Sequence, residues 1–326
     1  MPTTRSGKSS TAAQPAPTKK RKPTTTASPP QKKTKPDKKP KNTANTTKKR
    51  APKETSKPAE TQSRVLEKGL LYYFIRGKVG IDTPKSIDDI ARGYLILRPL
   101  PTDAKLHGTR PPSATSRLVA LPKKTLPAGP KDRFMAFVEK SDTSYDKLRE
   151  EFLKGEDYET KTAGHHHSPD ATPVGEGVYV ITTTGRESHL SYMATLPSKL
   201  GELQDALRFH DKGSFILSSK NPSYKGPAFA RLPKGPDYPR KVLEKFRDLR
   251  WVGTQPEFLD YPRAQILLIG HKDGLGERGD MVDELSKLEE EDLERMKGLS
   301  GDEADAIYAD LHSRKMEHPG IQKDLG

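Results

Sequence analysis

The first 60 residues contain no Leu, Ile, Val or aromatic residue, and that absence constrains the chain more than any motif it carries. They hold 17 Lys+Arg, three acids and ten Pro, a net +14 that equals the charge of the complete 326-residue chain. Such a segment cannot remove enough apolar surface from water to offset the roughly 1–2 kcal/mol per residue that backbone ordering costs. A disordered Lys/Pro/Thr-rich tail over residues 1–63 is therefore predicted, and the pI near 9.6 belongs to that tail. Residues 61–326 balance at 41 basic against 41 acidic.

Within the tail, Lys19, Lys20, Arg21 and Lys22 form one basic cluster, and Lys48, Lys49 and Arg50 form another. Solvated clusters of this density read as nuclear import signals, which implies an import receptor as partner and a nuclear location. The same charges suit weak, sequence-blind contact with DNA or RNA phosphates, because nothing in the tail can read or stack on a base. Zero Cys excludes disulfides, thiolate nucleophiles and Cys-ligated metal sites. No run approaches 18 apolar residues, so no membrane span is predicted, and no cofactor is implied.

Apolar runs begin at Val65 and recur to His271. Strands are predicted at residues 70–79, 93–97, 117–121, 134–139, 177–183, 189–195, 214–219 and 264–269, rich in Val, Ile, Tyr and Phe. Three helices lie between them: Tyr145, Leu148 and Phe152 recur at helical spacing, as do Leu200, Leu203 and Leu207 after a capping Ser198, and Val242, Phe246 and Leu249 after Pro239. The fold class is α+β, a mixed or antiparallel sheet with interspersed helices over residues 64–272. The run Leu70 to Ile75 echoes Gly177 to Ile181, and Tyr94 precedes Pro99 by the same interval as Tyr192 precedes Pro197, which suggests a duplicated unit.

The order Tyr158-Glu159-Thr160-Lys161-Thr162, Gly175-Glu176-Gly177-Val178-Tyr179, His189-Leu190-Ser191-Tyr192, Ser219-Lys220-Asn221-Pro222 and Pro256-Glu257-Phe258-Leu259-Asp260-Tyr261 resembles a family of fungal proteins labelled "BTB domain transcription factor". The resemblance covers about residues 64–272. It implies a shared layout, a Lys-rich disordered head and an acidic helical end, and assigns no chemistry to any residue.

Two constellations carry candidate chemistry. His165, His166 and His167 sit between Gly164 and Ser168-Pro169 in what reads as a loop; imidazoles ligate zinc, copper or nickel, but successive residues of an extended chain point alternately and do not converge on one ion. Glu159, Lys161, His189 and Tyr192 offer a carboxylate, an ammonium, an acid/base and a phenol, the set a hydrolase or nuclease needs. His189 and Tyr192 differ by an odd number, which puts them on opposite faces of a regular strand. Glycines at 274, 276 and 279 follow a strand but stand among Asp273, Glu277 and Asp280, which would repel a pyrophosphate.

Residues 273–326 carry 16 acids and seven Lys+Arg. Met281, Leu285, Leu288, Met296 and Leu299 share one helical face with Gly298 as a stop, and a second helix is predicted from Ser300 through Leu311. The sequence thus describes a nuclear, non-enzymatic accessory protein with a nucleic-acid-binding tail, an α+β domain for a protein partner and an acidic helical end. Its alternative is an enzyme built on Glu159, Lys161, His189 and Tyr192.

Overall fold

In the computed structural model the described residues are 63–298 apart from 83, 85, 102–105, 107–114, 161–163, 227–231 and 272–278. The basic clusters at 19–22 and 48–50, the tail to residue 62 and the second C-terminal helix lie outside them. Among the described residues eleven strands run in the order β1 (Arg64–Gly77), β2 (Ile90–Leu100), β3 (Ser116–Leu121), β4 (Arg133–Thr143), β5 (Glu156–Thr160), β6 (Gly164–Ser168), β7 (Ala171–Thr183), β8 (Ser188–Leu196), β9 (Lys212–Lys220), β10 (Trp251–Gly253) and β11 (Gln265–Gly270). All eight predicted strands are among them; β5, β6 and β10 are additional.

The main sheet runs β10-β9-β11-β4-β3-β2-β1-β7-β8, and β8 pairs back onto β9, so eight of its nine strands close into a barrel. Every ladder is antiparallel, which narrows the expected mixed or antiparallel sheet to the second. Two four-stranded meanders, β1-β2-β3-β4 and β7-β8-β9-β11, meet along the β1–β7 and β4–β11 ladders. The protein is a sheet-rich α+β fold with few helices.

Closure gives the sheet an inside. Cross-strand partners share a face, so the register identifies the interior: Tyr73, Leu95, Val119 and Val138 are successive partners round one half. Ile181, Leu190 and Phe215 are partners in the other half, and all seven belong to one buried cluster. The alternate residues Leu70, Tyr72, Phe74, Val178 and Val180 face outward, yet they too are buried. They are covered by α1 (Tyr145–Leu148) with its π-helical continuation over Arg149–Leu153, and by the long C-terminal helix Gly279–Gly298. Between these come α2 (Glu202–Leu207) and α3 (Arg240–Glu244), so the long helix is α4. Strands buried on both faces read as continuous apolar runs, which is why β1 and β7 lack alternation in the sequence.

The predicted helix ends shift for local reasons. α2 starts at Glu202 behind Gly201, not behind Ser198, and the Gly201 N–H donates to Gln204 Oε1 at 3.0 Å. The acidic segment contributes directly to the fold: α4 lays Met281, Leu285 and Leu288 on β7 and β8. Beneath it Arg295 Nη2 donates to Glu176 Oε1 at 2.6 Å, Arg295 Nε to Asp292 Oδ1 at 2.9 Å and Thr195 Oγ1 to Asp292 Oδ2 at 2.8 Å. Arg295 and Glu176 side chains are fully buried, so removing either partner would strand a charge in a low-dielectric contact. No described helix is long and apolar enough to cross a membrane.

One barrel end is filled by Leu126, Leu207 and Phe209, with Phe209 stacked on Tyr192 at 5.3 Å and an interplanar angle of 5°. The opposite end is plugged by the segment around α3, whose Tyr238, Val242, Phe246 and Phe258 join the interior cluster. Phe246 and Phe258 stack at 4.6 Å. Arg117 ties that plug to the barrel. Its Nη1 donates to Glu67 Oε1 at 2.7 Å and its Nε to Asp260 Oδ1 at 2.7 Å, while the Tyr179 hydroxyl donates to Glu67 Oε1 at 2.8 Å. Burial opposes the guanidinium charge, but Glu67, Tyr179 and Asp260 outweigh it and hold the Arg117 pKa above its ordinary value.

The Tyr192–Phe209 stack generates a test of packing. A Cβ at Gly213 would stand 2.2 Å from Tyr192 Cε1, and one at Gly175 would stand 2.3 Å from Phe209 Cε1. Gly213→Ala therefore overpacks the interior and is expected to destabilise the protein by about 1–3 kcal/mol. Urea unfolding should show a lower midpoint with an unchanged slope; an unaltered midpoint would mean that the ring moves freely.

Candidate basic cleft at the barrel seam

β9 is longer than the ladder it makes with β8. Residues 212–217 pair with β8, and Ser218, Ser219 and Lys220 pair with β10 instead. Where β8 gives way to β10 the wall opens into a cleft of about 890 Å³, bounded by the β7–β8 turn, β10, α3 and the turn after it. This is within the size range of small-ligand sites.

Each wall presents its side chains for a local reason. In the β7–β8 turn the Thr184 N–H donates to Glu187 O at 3.0 Å and Gly185 takes a positive φ of 85°, which places Arg186 at an exposed tip. In α3 the buried Val242 and the following Phe246 face the plug, so Lys241 and Lys245, four residues apart, share the outward side. In the turn after α3, Arg247 and Asp248 both adopt left-handed φ, 47° and 56°, a region that residues with side chains seldom occupy. That turn is fastened from the end of β9. Asn221 Nδ2 donates to Leu249 O at 3.1 Å, the Asn221 backbone N–H donates to Arg250 O at 2.9 Å, and the Tyr224 hydroxyl donates to Asp248 O.

The charge in this cleft is unbalanced. Its lining includes Arg186, Lys241, Lys245 and Arg247 against one carboxylate, Glu244. Glu244 is engaged by Arg240 at 3.0 Å, and Lys245 pairs with Glu257. Among the described residues Arg186, Lys241 and Arg247 have no carboxylate partner. Trp251, the single tryptophan of the chain, also lines the cleft and is partly exposed, as is Leu249 at 48%. Its neighbour Val252 packs on the barrel interior, so alternation directs Trp251 to the other side of the strand.

A smaller cleft of about 450 Å³ is lined by Thr115, Arg117, Asp142, Asp260 and Tyr261. Its guanidinium is already compensated by Glu67 and Asp260, so it offers an anion little.

The described members of the enzymatic set are not brought together. Tyr192 lies inside the barrel, where burial pushes its phenol pKa well above the usual value and its oxygen accepts the His210 N–H at 3.2 Å. His189 lies on the outer face, buried, with its ring 5.5 Å from that of His271. The odd spacing has this consequence. Glu159 is in the separate β5–β6 hairpin, and Lys161 is outside the described residues.

The histidine run, expected in a loop, is strand β6: Glu159, Tyr158 and Asp157 pair across the hairpin with His165, His166 and His167. Register with β5 supplies the pairing that three polar residues do not announce. His166 stacks on Tyr158 at 5.3 Å, on the opposite side from His165 and His167. No group of three His, Asp or Glu among the described residues can hold a metal. His167 Nδ1 stands 2.7 Å from Asp157 Oδ1 and Nε2 stands 3.2 Å from Asp82 Oδ1. The hydrogen bond to Asp157 raises the His167 pKa, against a smaller desolvation effect. A raised folded pKa means that this pairing contributes at low pH and fades as pH rises through the folded value. An NMR titration of the imidazole should give a midpoint above an ordinary histidine's, falling toward it in Asp157→Asn; identical midpoints would refute the pairing.

Sequence reasoning misses the cleft because its cations come from two distant stretches. Lys241 and Lys245 at helical spacing beside the only tryptophan are the available signal; nothing local links Arg186 to them. Comparison of the chain with protein-family models, curated proteins and solved structures found no match.

Proposed function

We propose that this protein is a nuclear, non-enzymatic nucleic-acid-associating protein in which the basic head and the seam cleft both contact phosphates. The observation that carries the reading is the trio Arg186, Lys241 and Arg247, gathered around a concave surface without carboxylate partners among the described residues. Uncompensated cations around a concavity focus positive potential and favour a polyanion. The head adds reach and local charge, and its contacts are indifferent to sequence. A protein partner for the outer barrel surface is also part of the proposal, as is descent of the two meanders from one duplicated unit, since each meander is followed by a helix that covers its outside.

The binding reading is tested with the full chain. Affinity for two unrelated oligonucleotides at two salt concentrations is measured for the wild type, for a variant with alanine at Arg186, Lys241 and Arg247, and for one with alanine at residues 19–22 and 48–50. Both variants should bind more weakly and with a shallower salt dependence, by about 0.7–0.9 in log–log slope for each phosphate that is no longer neutralised. An unchanged slope in the cleft variant would remove the folded domain from the interface.

Import is tested with the second variant as a fluorescent fusion too large for passive pore transit. It should stay largely cytoplasmic while the wild type concentrates in the nucleus. Continued nuclear accumulation would sink the assignment of the signal to Lys19–Lys22 and Lys48–Arg50.

A further inference from the structure

Resting on that reading, we infer that the seam cleft takes an unpaired, single-stranded stretch of nucleic acid, with its phosphates at Arg186, Lys241 and Arg247 and a base stacked on Trp251. Charge alone would suit any polyanion. The indole narrows the choice, because a large aromatic surface kept partly in solvent beside uncompensated cations matches the pairing of stacking platform and basic groove that single-strand binders use. The exposed Leu249 extends the apolar surface next to it.

Shape argues the same way. The cations stand around a concavity, whereas a duplex presents its phosphates on a convex surface and keeps its base faces stacked inside. A duplex docked on these cations would leave the indole without a base to contact. An unpaired strand splays its bases, and any base offers a π-face, so the site needs no sequence preference. The walls are also held in place before a ligand arrives. The left-handed pair Arg247 and Asp248 is kept in a disfavoured conformation by Asn221 and Tyr224. Trp251 itself is fixed on β10 by its ladder partner Lys220, whose ammonium donates to Gln265 Oε1 at 3.0 Å. Such preorganisation reduces the ordering cost of binding.

Because Trp251 is the only tryptophan, its fluorescence reports on this site in the intact protein, whatever the head binds. The full chain is titrated with dT12, with U12 and with a 12-base-pair duplex, following tryptophan emission and, separately, the anisotropy of labelled probes. The expected result is quenching by dT12 and U12 but not by the duplex. That quenching should vanish with alanine at Arg186, Lys241 and Arg247, and Trp251→Leu should weaken dT12 affinity about tenfold or more while leaving the duplex unchanged. If the triple variant weakens all three probes and Trp251 emission never changes, the single-strand inference is overturned and the phosphate-binding cleft stands. If the triple variant alters nothing, the cleft fails along with it. Equal quenching by duplex and single strand also overturns the inference. The emission measurement uses the unaltered chain, so it decides the question even if Trp251→Leu does not fold.

Discussion

The ladder between β8 and β9 is the contact on which the rest of the structure depends. Ser188 through Met193 pair with Leu217 back to Lys212, and without that pairing the sheet would be an open ribbon with two unprotected edges. Closure joins the two meanders and turns one face into an interior. The large aromatic residues Tyr73, Tyr179, Tyr192 and Phe215 can then meet in one cluster. It also explains the glycines opposite Tyr192 and Phe209, since bulky rings inside a small barrel leave no room for a Cβ on the facing strand.

Closure further imposes two burial problems, one inside and one outside. The outer faces of β1, β2 and β7 are as apolar as their inner ones, so helices must cover them, and α1 and α4 do so. An acidic helix is ill suited to that task until its faces are separated: Met281, Leu285 and Leu288 point to the barrel, and its carboxylates largely meet solvent. The exception, Asp292, is buried with Arg295 and Glu176, so the helix is positioned by directional ion-pair geometry as well as by apolar area.

The seam has a chemical consequence. β8 ends before β9 does, and the last three residues of β9 pair with the short β10 instead. That mismatch opens the wall beside α3, where Arg186, Lys241 and Arg247 face one concave surface with Trp251. The carboxylates nearby, Glu244 and Glu257, are drawn to Arg240 and Lys245, which leaves the other three cations available to a ligand. The proposed phosphate contacts and the proposed base stacking thus both arise from how the barrel closes.

Everything legible in the chain before folding is local. Runs of Val, Ile, Tyr and Phe mark all eight barrel strands, because β-branched and aromatic residues suit a pleated surface wherever it lies. Met281, Leu285 and Leu288 mark α4, and Gly298 its end, because the 3.6-residue period is a property of the segment alone. Parity along β8 separates His189 from Tyr192 for the same reason. Parity and period do not encode that β8 pairs with β9, that α4 covers β7 and β8, or that His165, His166 and His167 belong to a strand. Nor do they encode that residues around 186 share a cleft with residues around 245. Those relations depend on which distant segments pair, and pairing is chosen by the burial of whole faces at once, not by the composition of any single stretch.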